Sequence, residues 1–207
     1  MVASAWIETN NSQLTMFAQR LMPTGTGSRG SMRRNVEVKT RIASVAALKP
    51  VAARIADTGP LEIFQDDTFF RCPSGRLKLR TFSNDSGELI YYRRSDELGP
   101  KESFYLRSQT STPAILRDSL SLAYGEVGRV RKRRMLFLVG RTRIHLDVVE
   151  NLGHFLELEV VLSADESVED GVAEANRVME LLGIQKSQLI DGAYVDLLFA
   201  IGSTRRR

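Results

Sequence analysis

The chain has 207 residues, 43% of them hydrophobic and 26% charged, with a formal net charge of +4. That suits one domain with a core of its own plus a tail, and the mild positive charge points to anionic partners without choosing among them. A single cysteine, Cys72, excludes an internal disulfide or a multi-cysteine metal site, two histidines argue against a histidine-rich zinc centre, and no apolar run is long enough to span a membrane.

Residues 1–31 differ from the rest. Thr24 to Ser31 is a small-residue linker, and the segment before it mixes Trp6, Phe17, Leu21 and Met22 with Arg20 and Glu8. This stretch is expected to be a disordered N-terminal extension. A mitochondrial targeting peptide is the competing reading, weakened by few basic residues and poor amphipathicity, so a cytoplasmic location is expected. From Met32 the punctuation is regular. A strand over 34–42 precedes a helix over 44–57, with Ser44 as N-cap and Thr58-Gly59-Pro60 as its end. Strands follow over 63–71, 75–82, 88–94 and 101–108, separated by turn signals at Pro73-Ser74-Gly75 and Asn84-Asp85-Ser86-Gly87. Leu116, Leu120 and Tyr124 give helical spacing over 112–124, ended by Gly125. Strands over 127–139, 141–149 and 154–162 turn at Gly140 and at Asn151-Leu152-Gly153. Val168, Val172, Ala175, Met179 and Leu182 form the apolar stripe of a helix over 165–183. A short helix over 191–200 and a basic tail, 201–207, end the chain. Eight strands with few long helices predict an α+β fold: an eight-stranded antiparallel β-barrel (a tunnel) with helices packed outside, over 32–200.

The strands carry charges on every second residue. Side chains in a strand alternate faces. Glu37, Lys39 and Arg41 therefore share a face, as do Lys78 and Arg80, Lys132 and Arg134, Arg143 and Asp147, and Glu157 and Glu159. Val36, Val38, Leu77, Leu79, Ile144, Leu146, Leu156 and Leu158 point the other way. Burying so many charges without a ligand is costly, which favours a ligand-binding lumen over a sheet of surface salt bridges. Cations mixed with a few carboxylates suit a metal-bound polyanion, and oxygen ligands favour Mg²⁺ or Mn²⁺ over zinc. His145 shares the parity of Asp147 and is expected as a hydrogen-bonding lumen residue rather than a metal ligand. The run Arg129 to Arg134 reads alone as a nucleic-acid patch. It continues into an apolar strand and lacks interleaved aromatics, so nucleic acid is not the expected partner.

The order of these pieces resembles the CYTH superfamily, which joins class IV adenylyl cyclases to thiamine triphosphatases (the triphosphate tunnel metalloenzymes). The resemblance spans about residues 33–199. It rests on Asn35-Val36-Glu37-Val38-Lys39 for the ExExK motif, Gln65 to Phe70, Leu77 to Arg80, Leu89 to Arg94, Lys101 to Tyr105, Val130 to Arg134, and the run Arg143 to Glu159. One departure stands out: the first Glu of ExExK is Asn35, which brings no negative charge to its site. The resemblance implies that Lys39, Lys78, Arg80, Arg94, Lys132, Arg134 and Arg143 contact phosphate oxygens. It implies that Glu37, Asp147, Glu157 and Glu159 hold one or two Mg²⁺ or Mn²⁺ ions, and that Lys39 and Glu37 serve catalysis. The partner is then a small molecule containing a triphosphate, with no membrane involved and a homodimer left open. The expected activity is metal-dependent triphosphate hydrolysis. The alternatives are a class IV adenylyl cyclase and, given Asn35, a non-catalytic polyanion-binding module.

Overall fold

A computed structural model describes residues 33–94 and 99–204. The expected extension over residues 1–31 and the tail residues 205–207 lie outside the described residues. The strands are β1 (Arg33–Arg41), β2 (Thr58–Phe70), β3 (Arg76–Ser83), β4 (Ser86–Arg94), β5 (Lys101–Thr110), β6 (Glu126–Val139), β7 (Thr142–Val149) and β8 (Gly153–Leu162). They close into a barrel in the order β1-β5-β4-β3-β2-β6-β7-β8, every pairing antiparallel. Full closure leaves no unpaired sheet edge. The helices among the described residues are α1 (Val45–Ile55), α2 (Pro113–Tyr124), α3 (Val168–Leu181) and α4 (Tyr194–Thr204), with a 3₁₀ turn at Lys186–Gln188. No described helix is long and apolar enough to cross a membrane.

The apolar parity of the strands builds the outer core. Val36, Val38, Phe137, Ile144, Leu146, Leu156, Leu158 and Val160 are fully buried beneath α1 and α3. The Ser44 hydroxyl caps α1 by accepting from the Ala46 amide, and Ser167 caps α3 by accepting from the Asp170 amide. The expected stripe of α3 meets this core, and Gly171 lets the helix lie close: a Cβ there would sit 2.7 Å from Val36 Cγ2.

Several boundaries shift. Thr58-Gly59-Pro60 does not end a helix in a turn. It opens β2, with a register shift between Thr58 and Leu61. Gly59 is needed there, since its φ is +121° and a Cβ would meet the Leu136 carbonyl at 2.7 Å. The helix expected over 165–183 runs over Val168–Leu181, and the last helix spans Tyr194–Thr204 rather than 191–200, so it takes in the first residues of the expected tail.

Candidate active site

The charged parity faces the lumen. Cross-strand register brings Lys39 opposite Glu157, Glu37 opposite Glu159 and Lys101, Arg143 opposite Glu159, and His145 opposite Glu157. Gln65 lies opposite Lys132, Arg134 opposite Asp147, Asp67 opposite Arg80, and Arg80 opposite Glu88. Lys39, Lys78, Arg80, Arg94, Lys101, Lys132, Arg134 and Arg143 thus face Glu37, Asp67, Glu88, Asp147, Glu157 and Glu159. With His145 neutral, eight cations against six carboxylates leave +2 on these residues. The basic run of β6 divides by parity. Lys132 and Arg134 are buried inside, while Arg129 and Arg131 pair outside with Asp66 and Arg133 is exposed. Arg41 keeps the face of Glu37 and Lys39, opposite Phe155, but lies at the open end of the strand. It is exposed, donates to the Leu152 carbonyl at 2.6 Å and lies 4.6 Å over the Phe155 ring.

Two buried carboxylates organise the cations. Asp147 accepts from Arg134 through both oxygens at 2.7 and 2.6 Å, from Lys132 at 3.0 Å and from the Tyr194 hydroxyl at 3.0 Å. Burial works to raise its pKa, and Arg134 and Lys132 overcome that and hold it ionised. Asp67 accepts from Arg80 at 2.8 Å through both oxygens and from Lys78 at 2.8 Å. Burial opposes its ionisation too, and Arg80 and Lys78 again outweigh it. Lys78 is lowered to about 8, by burial first and the Arg80 charge next, with Asp67 opposing. Asp67, Glu88 and Lys101 join the residues expected from sequence. From sequence Asp67 stands only within the run Gln65 to Phe70, and its cation partners depend on cross-strand register.

Lys39 lies 3.1 Å from Glu157 Oε1, donates to the Gly192 carbonyl at 3.1 Å, and stands 4.2 Å over the Tyr194 ring. Arg94 donates to Glu37 and, at 2.7 Å, to the same Gly192 carbonyl. Gly192 and Tyr194 belong to a strap that follows β1, with Ile190 donating to the Lys39 carbonyl at 2.9 Å and Thr40 Oγ1 to that of Gln188 at 2.7 Å. Asp196 of α4 then pairs with Arg76 at 2.8 Å. The strap brings a carbonyl and an aromatic ring onto cations of β1, β4 and β6. Tyr194 lies too far along the chain for strand alternation to reveal its role.

His145, Glu157 and Glu159 each present one ligand atom, all within 4.8 Å of one another. Arg134 and Lys132 also reach Glu157, whose pKa is held well below the usual range by Lys39, Lys132 and Arg134 against the burial penalty. His145 is pushed down to about 3 by burial first and by Arg134 next, so its imidazole is neutral near pH 7. Glu37 stands directly opposite Glu159, and each carboxylate is paired with an arginine, Glu37 with Arg94 and Glu159 with Arg143 at 3.2 Å. Two carboxylates and a neutral imidazole with an unpartnered Nδ1 fit a divalent ion. Glu37 and Asp147 are not members of this group. Asn35 is buried with its Oδ1 unpartnered, one pleat from Glu37.

A family model described as CYTH domain matches residues 33–194. The chain is 25% identical over 170 residues to the adenylate cyclase CyaB of Aeromonas hydrophila, covering 78% of this chain and 87% of that one. Among solved structures it is similar to the PH1012 protein of Pyrococcus horikoshii at TM-score 0.70 and 24% identity, over 79% of this chain and 98% of that one. It is also similar to a Hippeastrum adenylyl cyclase candidate with a dominant triphosphatase activity, at TM-score 0.56 and 17% identity, over 81% of this chain and 96% of that one.

Proposed function

The chain belongs to the CYTH domain family, whose members bind triphosphates and include triphosphatases and class IV adenylyl cyclases, and on that premise we propose that it is a divalent-metal-dependent triphosphatase. The supporting observation is the composition of the lumen residues named above: eight cations against six carboxylates, two of which, Glu157 and Glu159, form with His145 a group suited to an ion. Phosphoryl transfer needs positioning and charge stabilisation above all. We assign Lys78, Arg80, Lys132, Arg134, Arg143 and Arg94 to the phosphate oxygens, the arginines as two-pronged donors and the lysines as point charges. Asp67 and Asp147 are the counter-ions that hold these cations in place before substrate arrives. Glu157 and Glu159, with Glu37 and Asp147 as further candidates, are assigned to the ion, Mg²⁺ or Mn²⁺. When bound, the ion neutralises charge developing on the phosphoryl oxygens. Lys39 and Glu37 are assigned to catalysis. Lys39 stands as a fixed cation 3.1 Å from Glu157, where it can meet charge developing on a bound phosphoryl group, and Glu37 orients Arg94 toward the same end of the lumen.

Cyclisation of ATP is the second reading, favoured by the likeness to the Aeromonas cyclase. Purified protein with Mg²⁺ or Mn²⁺ and a panel of ATP, thiamine triphosphate and tripolyphosphate separates the readings. Inorganic phosphate release supports hydrolysis, and cyclic AMP with pyrophosphate replaces it by cyclisation. Binding without turnover leaves a polyanion-binding module.

A further inference from the structure

The imidazole of His145 distinguishes the ion site from an all-oxygen one. His145 is 4% exposed and its Nδ1 has no hydrogen-bond partner, the nearest carboxylate oxygen being Glu159 Oε1 at 3.7 Å. A buried polar nitrogen is normally satisfied, so an unpaired one aimed at two carboxylates marks a place for a further group. The register supports this. His145 stands directly opposite Glu157 on β8, and Glu159 lies one pleat further along the same face. The intervening residues Ile144, Leu146, Leu156 and Leu158 are fully buried on the outer side, which holds both strands and their lumen side chains in position. Glu157 already accepts from Arg134 and is paired with Lys39 and Lys132, yet a carboxylate offers about four lone-pair sites, which leaves room for a cation beside these contacts.

We propose that His145 is a direct ligand, and that with Glu157 and Glu159 it forms a mixed nitrogen-oxygen site that prefers a first-row transition ion such as Mn²⁺ to Mg²⁺. Mg²⁺ is a hard ion that seeks oxygen and retains water, whereas imidazole suits the softer first-row ions. The inference rests on the reading of Glu157 and Glu159 as ligands of the enzyme's ion. It adds that the chain's own imidazole sets the identity of the metal.

The test uses the full chain without substrate, Mn²⁺ as the probe and Mg²⁺ as competitor. Paramagnetic resonance titration is expected to show Mn²⁺ bound about tenfold or more tightly than Mg²⁺. Pulsed measurements on the bound Mn²⁺ are expected to show coupling to a directly ligated imidazole nitrogen. In His145→Gln that coupling disappears and the preference falls toward parity, because Mn²⁺ affinity drops while Mg²⁺ affinity stays nearly constant. The wild-type nitrogen coupling needs no variant, so poor folding of His145→Gln does not blunt the test. Bound Mn²⁺ without nitrogen coupling, equal affinity for the two ions, or no Mn²⁺ binding would each overturn the inference. Hydrolysis of tripolyphosphate with Mg²⁺, measured alongside, separates the two ideas. Turnover without nitrogen coupling removes only the imidazole ligand, and nitrogen coupling without any triphosphate turnover removes only the proposed activity.

Discussion

Behind β1, β6, β7 and β8 lie α1, α3 and a dry core in which the outward side chains of β7 and β8 lose nearly all contact with water. Behind β3, β4 and β5 the cover is thinner. Helix α2 there buries only Pro113 fully and leaves Ile115, Leu122 and Tyr124 exposed, and Leu106 of β5 is exposed as well. The two walls face one lumen with different side chains. The backed wall carries His145, Glu157 and Glu159, the group proposed to hold an ion, whose coordination would demand close geometry. The thinly covered wall carries Lys78, Arg80 and Arg94, whose charges act over a longer range. The denser packing lies behind the wall that carries the proposed ion site.

The largest expected effect comes from removing charge on the backed wall. Glu157→Gln or Glu159→Gln is expected to lower turnover on the order of a hundredfold or more, since the charge stabilisation an ion supplies is worth several kcal/mol. The measurement is the rate at limiting metal, alongside a thermal melt to confirm folding. Near-normal rates in both variants would remove the ion from this wall. Next in size is the outer packing itself. Leu158 is fully buried between the two ligand positions, so Leu158→Ala should cost about 2–5 kcal/mol of stability in denaturant unfolding. Leu106→Ala on the other wall should stay within about 0.5 kcal/mol. Equal losses would abolish the distinction between the walls.

Titration sharpens the same comparison from the substrate side. The ammonium of Lys78 has a pKa of about 8 in the folded protein, against an ordinary value of 10.5. A polyanion favours its charged form, so substrate binding is expected to weaken as pH rises past 8, by at most about tenfold per pH unit from this group. The stability effect has the opposite sign. A base with a lowered folded pKa disfavours folding below that value, and the penalty is relieved as pH rises from about 8 toward 10.5. Lys78→Arg keeps the charge throughout and should flatten the step near pH 8 in a KM profile. A step that persists unchanged in Lys78→Arg would assign it to another group.

Strand alternation made most of this site legible. The parity that separates Glu37 and Lys39 from Val36 and Val38 needs only a period of two, and Lys132 and Arg134 separate from Arg131 and Arg133 by the same rule. The resemblance of the ordered pieces supplied strand roles that alternation alone left open. What stayed hidden depended on register and long-range closure. Asp67 gains its role from standing opposite Arg80, Tyr194 from a strap that returns 47 residues after Asp147, and His145 from facing Glu157 with an unpaired nitrogen. Local propensity also misread Thr58-Gly59-Pro60, where pairing with β6 draws a turn-like tripeptide into a strand.

The smallest expected effect concerns Asn35, where the chain departs from the ExExK pattern. Asn35 is buried beside Ser103 of β5 and Val161 of β8, on the face that carries Glu37, and its Oδ1 has no partner. Asn35→Glu adds one negative charge there and reduces the +2 excess of the lumen to +1. If an ion lies near, an anionic oxygen is the better ligand, and the metal concentration giving half-maximal rate should fall by roughly threefold to tenfold. Without metal the added carboxylate is buried and unpaired, so Asn35→Glu should melt lower than wild type in chelator and regain the difference when Mn²⁺ or Mg²⁺ is added. The two readings have a common cause and should move together. A higher metal requirement, or lost substrate binding at saturating metal, would mean that position 35 faces the substrate's phosphates rather than an ion. The asymmetry between the walls would then extend into β1 itself, with Glu37 on the ion side of the strand's lumen face and position 35 on the phosphate side.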